Sequence, residues 1–286
     1  MTLYVVATPI GNLEDMTPRA VRVLQEVDII AAEDTRHSRI LLSHFNIKNT
    51  QLYSCHKFNE ERRGDFFVSK MLEGQTVALI SDAGTPCISD PGHRLVSAAA
   101  EAGIDVVAVC GASAVVGALS VSGFDVTGFR FLGFLPRKKR DIADCLREVF
   151  PCTVVFYESP KRIEDTIGVL DECFSDAKIC LCNDITKKFE KLYRGNPSEV
   201  LQQLRENENS GKGEYTCVVN VDSVLEEDKP DDDVSLESQI IDIMVKTNDT
   251  LKGACDKLRL QNEKLSKKEI YKAMLNLKNI LGADHE

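Results

Sequence analysis

Three loops of this chain combine acidic residues with small residues and proline, a composition that lets a ligand approach the backbone closely. They are Thr8–Asn12, Glu33–Arg36 and Ser81–Asp90, and the turn Gly111–Ala114 is similar to them. Each follows a short apolar run that predicts a buried strand. A single loop of this kind is as common in α/β proteins that bind no ligand at that loop as in those that do. Four such loops at one sheet edge favour a cofactor crevice.

The residue types in these loops restrict the ligand. No G-x-G-x-x-G follows the first strand, and the chain has no G-x-x-x-x-G-K followed by Ser or Thr, which argues against dinucleotides and nucleoside triphosphates. The three main loops contain no lysine, which would repel a cation. A sulfonium compound is such a cation, so these loops are consistent with S-adenosylmethionine.

The elements that position the loops alternate between strand and helix. Strands are predicted at Leu3–Ala7, Asp28–Ala32, Thr76–Ile80 and Asp105–Cys110, with helical patterns between them. This alternation predicts a mainly parallel sheet covered on both faces. The carboxyl ends of parallel strands share one edge, so we expect the loops to gather there. Asp90-Pro91 is predicted to cap the helix that follows the third loop.

The length and the pattern predict the domain organisation. With 286 residues, two main domains are expected, at 1–122 and 123–224. The stretch from Ser122 to Phe134 is interpreted as a hinge between them. The second domain is also predicted to be α/β, because apolar strands alternate with helical patterns there. An acidic linker at 225–235 precedes a helical tail module at 236–286.

Composition restricts the class of protein. The formal net charge of −10 argues weakly against a general nucleic-acid binder, although Lys246 to Lys278 contains nine Lys or Arg and four Asp or Glu. The ten cysteines include no C-x-x-C pair, and the five histidines do not have zinc spacing, so we expect reduced thiols and no metal site. No apolar run approaches the ~20 residues that span a bilayer, and no signal peptide precedes the first strand. We therefore expect a cytoplasmic protein without a membrane anchor.

Short motifs occur in order along the chain, in a match that runs from about residue 3 to 221. They are Leu3–Leu13, Glu33–Arg36, His56 with Asn59-Glu60, Ser81–Gly92, Gly133–Pro136, Tyr157–Pro160, Thr186–Glu190 and Gly213–Tyr215. In this combination the chain resembles the ribosomal-RNA-methylating branch of the tetrapyrrole-methylase-like family of S-adenosylmethionine-dependent enzymes. Family members that methylate tetrapyrrole carbons begin with Gly-x-Gly-Pro-Gly and carry Gly-Asp-Pro in the middle loop. Ala7–Gly11 and Ser81–Ala83 depart from both patterns, which favours the RNA branch. Lys161 stands where that branch commonly has histidine, so no role of that histidine is carried over.

The resemblance implies two α/β domains of the tetrapyrrole methylase type, with the cofactor S-adenosylmethionine in the cleft between them, and a homodimer. It also implies methyl transfer to the 2′-hydroxyl of a cytidine ribose in the decoding region of small-subunit ribosomal RNA. We expect an assembled small subunit as the substrate, because free RNA would present one folded site poorly. By position in the motifs, the residues expected to line the cofactor pocket are Pro9, Asp82, Ala83, Gly84, Pro86, Ile88, Ser113, Ala114 and Tyr157.

Two carboxylates are candidates for catalysis. A protonated ribose hydroxyl is a poor nucleophile, so a carboxylate or histidine within hydrogen-bond reach would help. Asp34 and Glu158 are the candidates for a base or an orienting group, because both follow strands aimed at the crevice; His56 is a weaker candidate. The alternative for Asp34 is structural, since it can pair with Arg36 or cap the next helix.

Contact with RNA requires positive charge, since phosphate contacts supply most of the affinity. The candidate RNA-binding residues are Arg36, Arg137, Lys138, Lys139, Arg140, Lys187, Lys188 and Arg194, and Lys161 with Arg162 forms a further basic group. Arg137–Arg140 is interpreted as a loop at the mouth of the cleft. The basic tail has two open interpretations, an auxiliary RNA-binding module or the polar face of an ordinary amphipathic helix.

Two other functions are compatible with the cleft. A methyltransferase of small tetrapyrroles is disfavoured by the altered glycine loops and by the Arg137–Arg140 cluster. A non-enzymatic ribosome-assembly factor is disfavoured by the intact acidic loops. A cofactor-binding assay distinguishes the assembly factor from an enzyme.

Overall fold

The structure is a computed structural model with two compact units, Met1–Val224 and Leu225–Glu286. It describes residues 1–48, 50–221, 235–247, 249–261 and 265–281, without the side chains of 260–261 and 279–281. The acidic linker predicted at 225–235 lies outside the described residues except for Ser235.

The first sheet contains five parallel strands. They are β1 (Thr2–Val6), β2 (Ile29–Ala32), β3 (Gln51–Ser54), β4 (Thr76–Ile80) and β5 (Asp105–Val109), in the order β3-β2-β4-β1-β5. Val5 stands in register between Leu79 and Ala108. β2 and β4 are almost fully buried, which explains their continuous apolar sequences. The predicted parallel sheet is confirmed.

Helices cover both faces of this sheet. α1 (Pro18–Glu26) and α2 (Thr35–His44) pack on one face, and α3 (Glu60–Leu72) and α4 (His93–Glu101) pack on the other. Because the faces are covered, the loops at the strand ends are the place where a ligand can approach the sheet.

The start of α4 differs from the prediction. Asp90-Pro91 does not cap the helix; its N-cap is Gly92, and the capping group comes from α3. The carboxylate of Glu60, whose side chain is 4% exposed, accepts hydrogen bonds from the N–H groups of Gly92 (2.9 Å) and Arg94 (2.8 Å). A negative charge at a helix N-terminus is also favourable to the helix dipole. Glu60 therefore fixes the end of the loop that precedes α4, through a contact between residues far apart in sequence.

Replacing Glu60 with alanine is expected to destabilise the protein by about 2 kcal/mol, because two N–H groups at a helix start lose their acceptor. Glu61→Ala is the matched control, since the Glu61 side chain is 88% exposed and pairs with Arg94 on the surface. We expect the control to change stability by less than about 0.5 kcal/mol. Urea unfolding followed by circular dichroism measures both variants. Equal midpoints would contradict the capping role of Glu60.

The second sheet is mixed. It contains β6 (Phe129–Phe134), β7 (Thr153–Glu158), β8 (Lys178–Asn183), β9 (Lys191–Gly195) and β10 (Tyr215–Asn220), in the order β6-β7-β10-β8-β9. The β6–β7 pair is parallel, and the other neighbours are antiparallel. One face packs against α6 (Lys139–Arg147), α7 (Ile163–Cys173) and α8 (Pro197–Arg205).

Two parts of the second half differ from the sequence interpretation. The segment Ser122–Phe134, interpreted as a hinge, contains strand β6, in which Phe131 pairs with Val155. Lys139 and Arg140 of the basic cluster belong to α6 rather than to a loop. Glycine, proline and charged residues are typical of turns. They are equally compatible with an edge strand such as β6 and with the first turn of a helix such as α6.

The helix after β5, α5 (Ala114–Ser122), joins the two sheets. Although it follows a strand of the first sheet, its residues Ala118 and Leu119 pack against Val155 and Val218 of the second. The first turn of α5 therefore lies where the two sheets meet.

The C-terminal unit is helical, as predicted. Its described helices are α9 (Leu236–Thr247), α10 (Leu251–Gln261) and α11 (Lys267–Leu281). Their shared core consists of Ile240, Ala254, Cys255, Leu258, Ile270, Ala273 and Leu277. Among the described residues of both units, no helix has the length and apolar character needed to cross a bilayer.

Candidate active site

The loops after β1, β4 and β5 lie against one another. Thr8 N–H donates to the Gly84 carbonyl (2.9 Å), and Gly84 N–H donates to the Thr8 carbonyl (3.0 Å). The Thr8 hydroxyl also donates to the carbonyl of Ser81 (3.2 Å). Gly111 approaches Ala7 so closely that a Cβ at position 111 would lie 3.0 Å from the Ala7 Cβ. These loops gather at one sheet edge, as the sequence predicts.

A pocket of about 340 Å³ lies between these loops and the second sheet. From the first half of the chain it is lined by Ile10, Ala83, Gly84, Thr85, Ile88, Ser89, Asp90, Ser113 and Ala114. From the second half it is lined by Phe134, Tyr157, Glu158, Ser159, Pro160, Asp184, Ile185, Lys187, Gly213, Glu214, Tyr215 and Thr216. Its volume falls in the range of roughly 300–1,000 Å³ that is usual for small-molecule sites.

Most of the residues predicted to hold a cofactor line this pocket. They are Ala83, Gly84, Ile88, Ser113, Ala114 and Tyr157. Pro9, Asp82 and Pro86 are not among the lining residues, although they belong to the same loops. Pro9 and Pro86 are buried, and Asp82 Oδ1 accepts a hydrogen bond from Asp34 N–H (3.2 Å).

Lys187, which is predicted to contact RNA, lines the pocket. Its ammonium pairs with Asp184 (2.8 Å) and Glu214 (2.7 Å). Burial disfavours the charge, but hydrogen bonds with the two carboxylates outweigh burial and raise the pKa of Lys187. The sequence reasoning missed Asp184 and Glu214. The Gly213–Tyr215 motif could have indicated both carboxylates. It contains Glu214, and it leads into a strand in which Tyr215 pairs with Asn183, the residue before Asp184.

Four carboxylates, Glu33, Asp34, Asp82 and Asp90, interact electrostatically at the loops after β2 and β4. Asp82 N–H donates to Glu33 Oε2 (3.4 Å). Burial, together with the charges of Asp90, Asp82 and Asp34, raises the pKa of Glu33. Burial and the charge of Asp82 likewise raise the pKa of Asp90, which faces the pocket. Bringing a cation into the pocket would relieve this repulsion. Across the described residues, no group of His, Cys, Asp and Glu side chains is arranged to hold a metal ion.

Asp34 pairs with its neighbour in sequence. Its carboxylate accepts a hydrogen bond from Arg36 N–H (2.8 Å), which caps α2, and it forms an ion pair with the Arg36 guanidinium (2.6 Å). Hydrogen bonds from Arg36 hold the pKa of Asp34 well below its usual range. Asp34 is therefore a weak base here. It pairs with Arg36 and caps the next helix, which is the structural alternative that the sequence analysis left open.

The carboxylate of Glu158 is fully buried and engaged. Oε1 accepts from Ser159 N–H (2.7 Å), while Oε2 accepts from the Thr166 hydroxyl (2.8 Å) and pairs with Arg162 (3.2 Å). Arg162 also donates to the carbonyl of Leu135 (3.3 Å). This network fixes the pocket wall at the end of β7 against α7 and the end of β6.

Tyr157 supplies an aromatic wall to the pocket. Its ring centroid lies 5.1 Å from that of Phe131 and 5.7 Å from that of Phe134. Burial, with the charges of Asp90 and Glu214, raises the pKa of Tyr157 to about 12. Its hydroxyl is therefore protonated at neutral pH and can donate a hydrogen bond.

The other residues predicted to contact RNA have different surroundings. Arg194 donates to the carbonyls of Val121 and Ser122 at the end of α5, so its guanidinium is engaged within the protein. Arg137–Arg140 are all exposed. Lys188 is also exposed, with its ammonium 5.4 Å from the centroid of the Phe189 ring.

A family model described as tetrapyrrole (corrin/porphyrin) methylases matches residues 2–201, which include the first sheet and strands β6 to β9 of the second. The chain belongs to the tetrapyrrole methylase family. A solved member of similar fold is the uroporphyrin-III C-methyltransferase from Thermus thermophilus, complexed with S-adenyl homocysteine. It aligns with a TM-score of 0.52 and 16% identity, over 77% of this chain and 97% of that one. At this identity the likeness shows the fold.

Other methyltransferases are more similar in sequence. The ribosomal RNA small subunit methyltransferase I of Halalkalibacterium halodurans is 46% identical over 220 residues, which are 76% of this chain and 75% of that protein. The protein of that name from Streptococcus pyogenes serotype M3 is 43% identical over 271 residues, 92% of this chain and 93% of that protein. The second match extends into the C-terminal unit. These similarities confirm the resemblance inferred from the motifs.

Proposed function

We propose that this protein transfers the methyl group of S-adenosylmethionine to the 2′-hydroxyl of a cytidine ribose in the decoding region of small-subunit ribosomal RNA. The names of its relatives support ribosomal RNA as the substrate. The observation that carries the proposal is the pocket, in which acidic and small-residue loops of the first sheet meet the loops of the second.

The residues of the pocket fit S-adenosylmethionine chemically. Asp90 and Glu214 bring negative charge to the lining, and the ammonium of Lys187 is neutralised by its two ion pairs, so a sulfonium is not repelled. Ile10 and Ile88 offer apolar contact to a nucleoside. The residues that would hold the cofactor are Ala83, Gly84, Ile88, Ser113, Ala114 and Tyr157, with Pro9, Asp82 and Pro86 supporting their loops.

Methyl transfer requires the protein to orient the ribose oxygen and to accept its proton. When bound, S-adenosylmethionine supplies an electrophilic methyl group, so that a C–O bond forms as the C–S bond breaks. Asp90 is proposed as the proton acceptor, because it lines the pocket and because burial raises its pKa, which makes it a stronger base than an exposed aspartate. The proton of the hydroxyl ends on the Asp90 carboxylate.

Asp34 and Glu158, predicted as a base or orienting groups, are proposed here as orienting groups. Asp34 holds Arg36 at the first turn of α2, where the arginine side chain is 87% exposed and can reach a phosphate. Glu158 holds Arg162 and the pocket wall at the end of β7. Both roles rest on the ion pairs of these carboxylates with Arg36 and Arg162.

We assign the RNA contacts to exposed cations. Arg137–Arg140, Arg36 and Lys188 would contact phosphates directly. Lys187 and Arg194 are engaged within the protein and would shape the surface beside the RNA. Following the family resemblance, the enzyme would be a cytoplasmic homodimer that acts on an assembled small subunit.

The test is an incubation of purified protein with radiolabelled S-adenosylmethionine and small subunits that lack the native methyl group. We expect a single labelled methyl group per subunit and much less label on the naked transcript. No label on either RNA, from protein that binds the cofactor, would contradict the proposed function and favour a tetrapyrrole substrate or an assembly role. Equal label on the naked transcript would contradict the choice of the assembled subunit.

Asp82→Asn is expected to weaken the binding of S-adenosylmethionine by about tenfold with the fold intact. Asparagine keeps the shape and the acceptor for Asp34 N–H, but it removes a negative charge beside the pocket. S-adenosylhomocysteine lacks the sulfonium charge and serves as the control ligand, with little change expected. Calorimetry measures both affinities. Unchanged binding of S-adenosylmethionine would show that the charge of Asp82 does not act on the cofactor.

A further inference from the structure

A second pocket, of about 400 Å³, lies in the C-terminal unit between α10 and α11. Its lining includes apolar side chains from both helices, Leu251, Cys255, Ile270 and Met274. Four cations also line it, Lys252, Arg259, Lys267 and Lys278, and its one lining acid is Asp256. The pocket therefore combines an apolar surface with a strongly positive one.

The four cations are free to bind an external anion. All of them are exposed, and none has an ion-pair partner among the described residues. Two other lysines of this unit are paired, since Lys246 contacts Asp242 (2.7 Å) and Lys257 contacts Asp249 (2.8 Å). The exposed Lys268 and Lys272 do not line the pocket. Four exposed cations without an ion-pair partner among the described residues therefore surround one pocket, which also offers apolar surface.

An aromatic ring lies among these cations. Tyr271 lines the same pocket, and its side chain is 60% exposed, so the face of its ring is accessible to a ligand. Proteins that bind single-stranded nucleic acid combine cations that track the phosphates with aromatic faces on which bases stack. An acidic peptide would use the cations but would not need the flat ring, so the pocket favours RNA.

We propose that this pocket binds a single-stranded segment of the RNA substrate, with phosphates at the four cations and an unstacked base on Tyr271. Because it takes RNA as the substrate, this role rests on the function proposed above. It gives the C-terminal unit a part in substrate recognition that is separate from methyl transfer.

Two charge-matched variants of the full chain test the pocket. The pocket variant carries Lys252→Gln, Arg259→Gln, Lys267→Gln and Lys278→Gln. The control variant loses the same charge from the same unit through Lys246→Gln, Lys257→Gln, Lys268→Gln and Lys272→Gln. Circular dichroism establishes that both fold. Filter binding to small-subunit RNA, without cofactor and between about 50 and 200 mM salt, then measures affinity and its salt dependence.

The pocket variant is expected to bind the RNA at least about tenfold more weakly, and the slope of log K against log salt should fall by about 3. The control should lose less than about threefold. Tyr271→Ala should weaken binding by about fivefold or more, and Tyr271→Phe should restore it, because phenylalanine keeps the stacking face.

Equal losses in the pocket and control variants, an unchanged affinity for Tyr271→Ala, or no RNA binding by the unaltered protein would each overturn the inference. Competition by polyglutamate as effective as competition by RNA would overturn it too, because it would show a site for acidic chains in general. Since binding is measured without methyl transfer, RNA binding that persists in a protein without methylation activity would count against the proposed function alone.

Discussion

Asp90→Asn lowers kcat for methyl transfer by about 10²–10⁴-fold if this carboxylate accepts the proton of the ribose hydroxyl. Asparagine cannot take up that proton, although it keeps the shape of the side chain. Asp82→Asn is the matched control, because it removes the same charge from the same loop but does not line the pocket. At saturating cofactor, we expect kcat to fall strongly in the Asp90 variant and little in the Asp82 variant.

The pH dependence of the rate gives a second readout of Asp90. The carboxylate must be ionised to accept a proton, so the rate falls as the pH decreases through its pKa. Burial and the charge of Asp82 place that pKa above the usual value, and the acid limb of the profile shifts upward accordingly. The limb should disappear in Asp90→Asn. A limb that persists in the variant, or equal kcat values for both loop variants, would contradict the assignment.

Arg162→Met is expected to destabilise the protein by about 3–5 kcal/mol, because it leaves the buried carboxylate of Glu158 without its ion-pair partner. The matched control is Lys161→Met, at an exposed neighbouring position, with an expected change below about 0.5 kcal/mol. Chemical denaturation of the two variants measures the difference.

Adding Glu158→Gln to Arg162→Met should recover part of this loss, since the buried negative charge is removed together with its partner. The recovery separates the cost of an unpaired charge from the cost of lost packing by the arginine stem. A double variant less stable than Arg162→Met, or an Arg162→Met as stable as Lys161→Met, would contradict the role given to this ion pair.

The first sheet could be predicted because its strands are buried. Four of its strands are apolar runs, and each is followed by a loop that contains glycine, proline or acidic residues. The sequence therefore indicates both the strands and the loops that follow them. β3 was missed because Gln51–Ser54 is polar and partly exposed at the sheet edge. β6 has the sequence features of a hinge for a similar reason, since several of its residues are exposed and Gly133 interrupts it.

The loops of the site could be predicted more reliably than the roles of their side chains. Asp34 and Glu158 both follow strands near the pocket, but their oxygens are engaged by Arg36 and Arg162. Such pairing depends on side-chain geometry that spacing alone does not define. The neighbours of Asp90 in sequence are typical of a helix cap, whereas in the structure Asp90 lines the pocket and burial raises its pKa.

The most direct test of the proposed function is the chemical position of the transferred methyl group. RNA from small subunits methylated by the purified protein is digested to nucleosides, and the labelled product is identified by mass spectrometry. The function proposed here predicts 2′-O-methylcytidine derived from a fragment of the decoding region. A methyl group on a base, or on the ribose of another nucleoside, would contradict it.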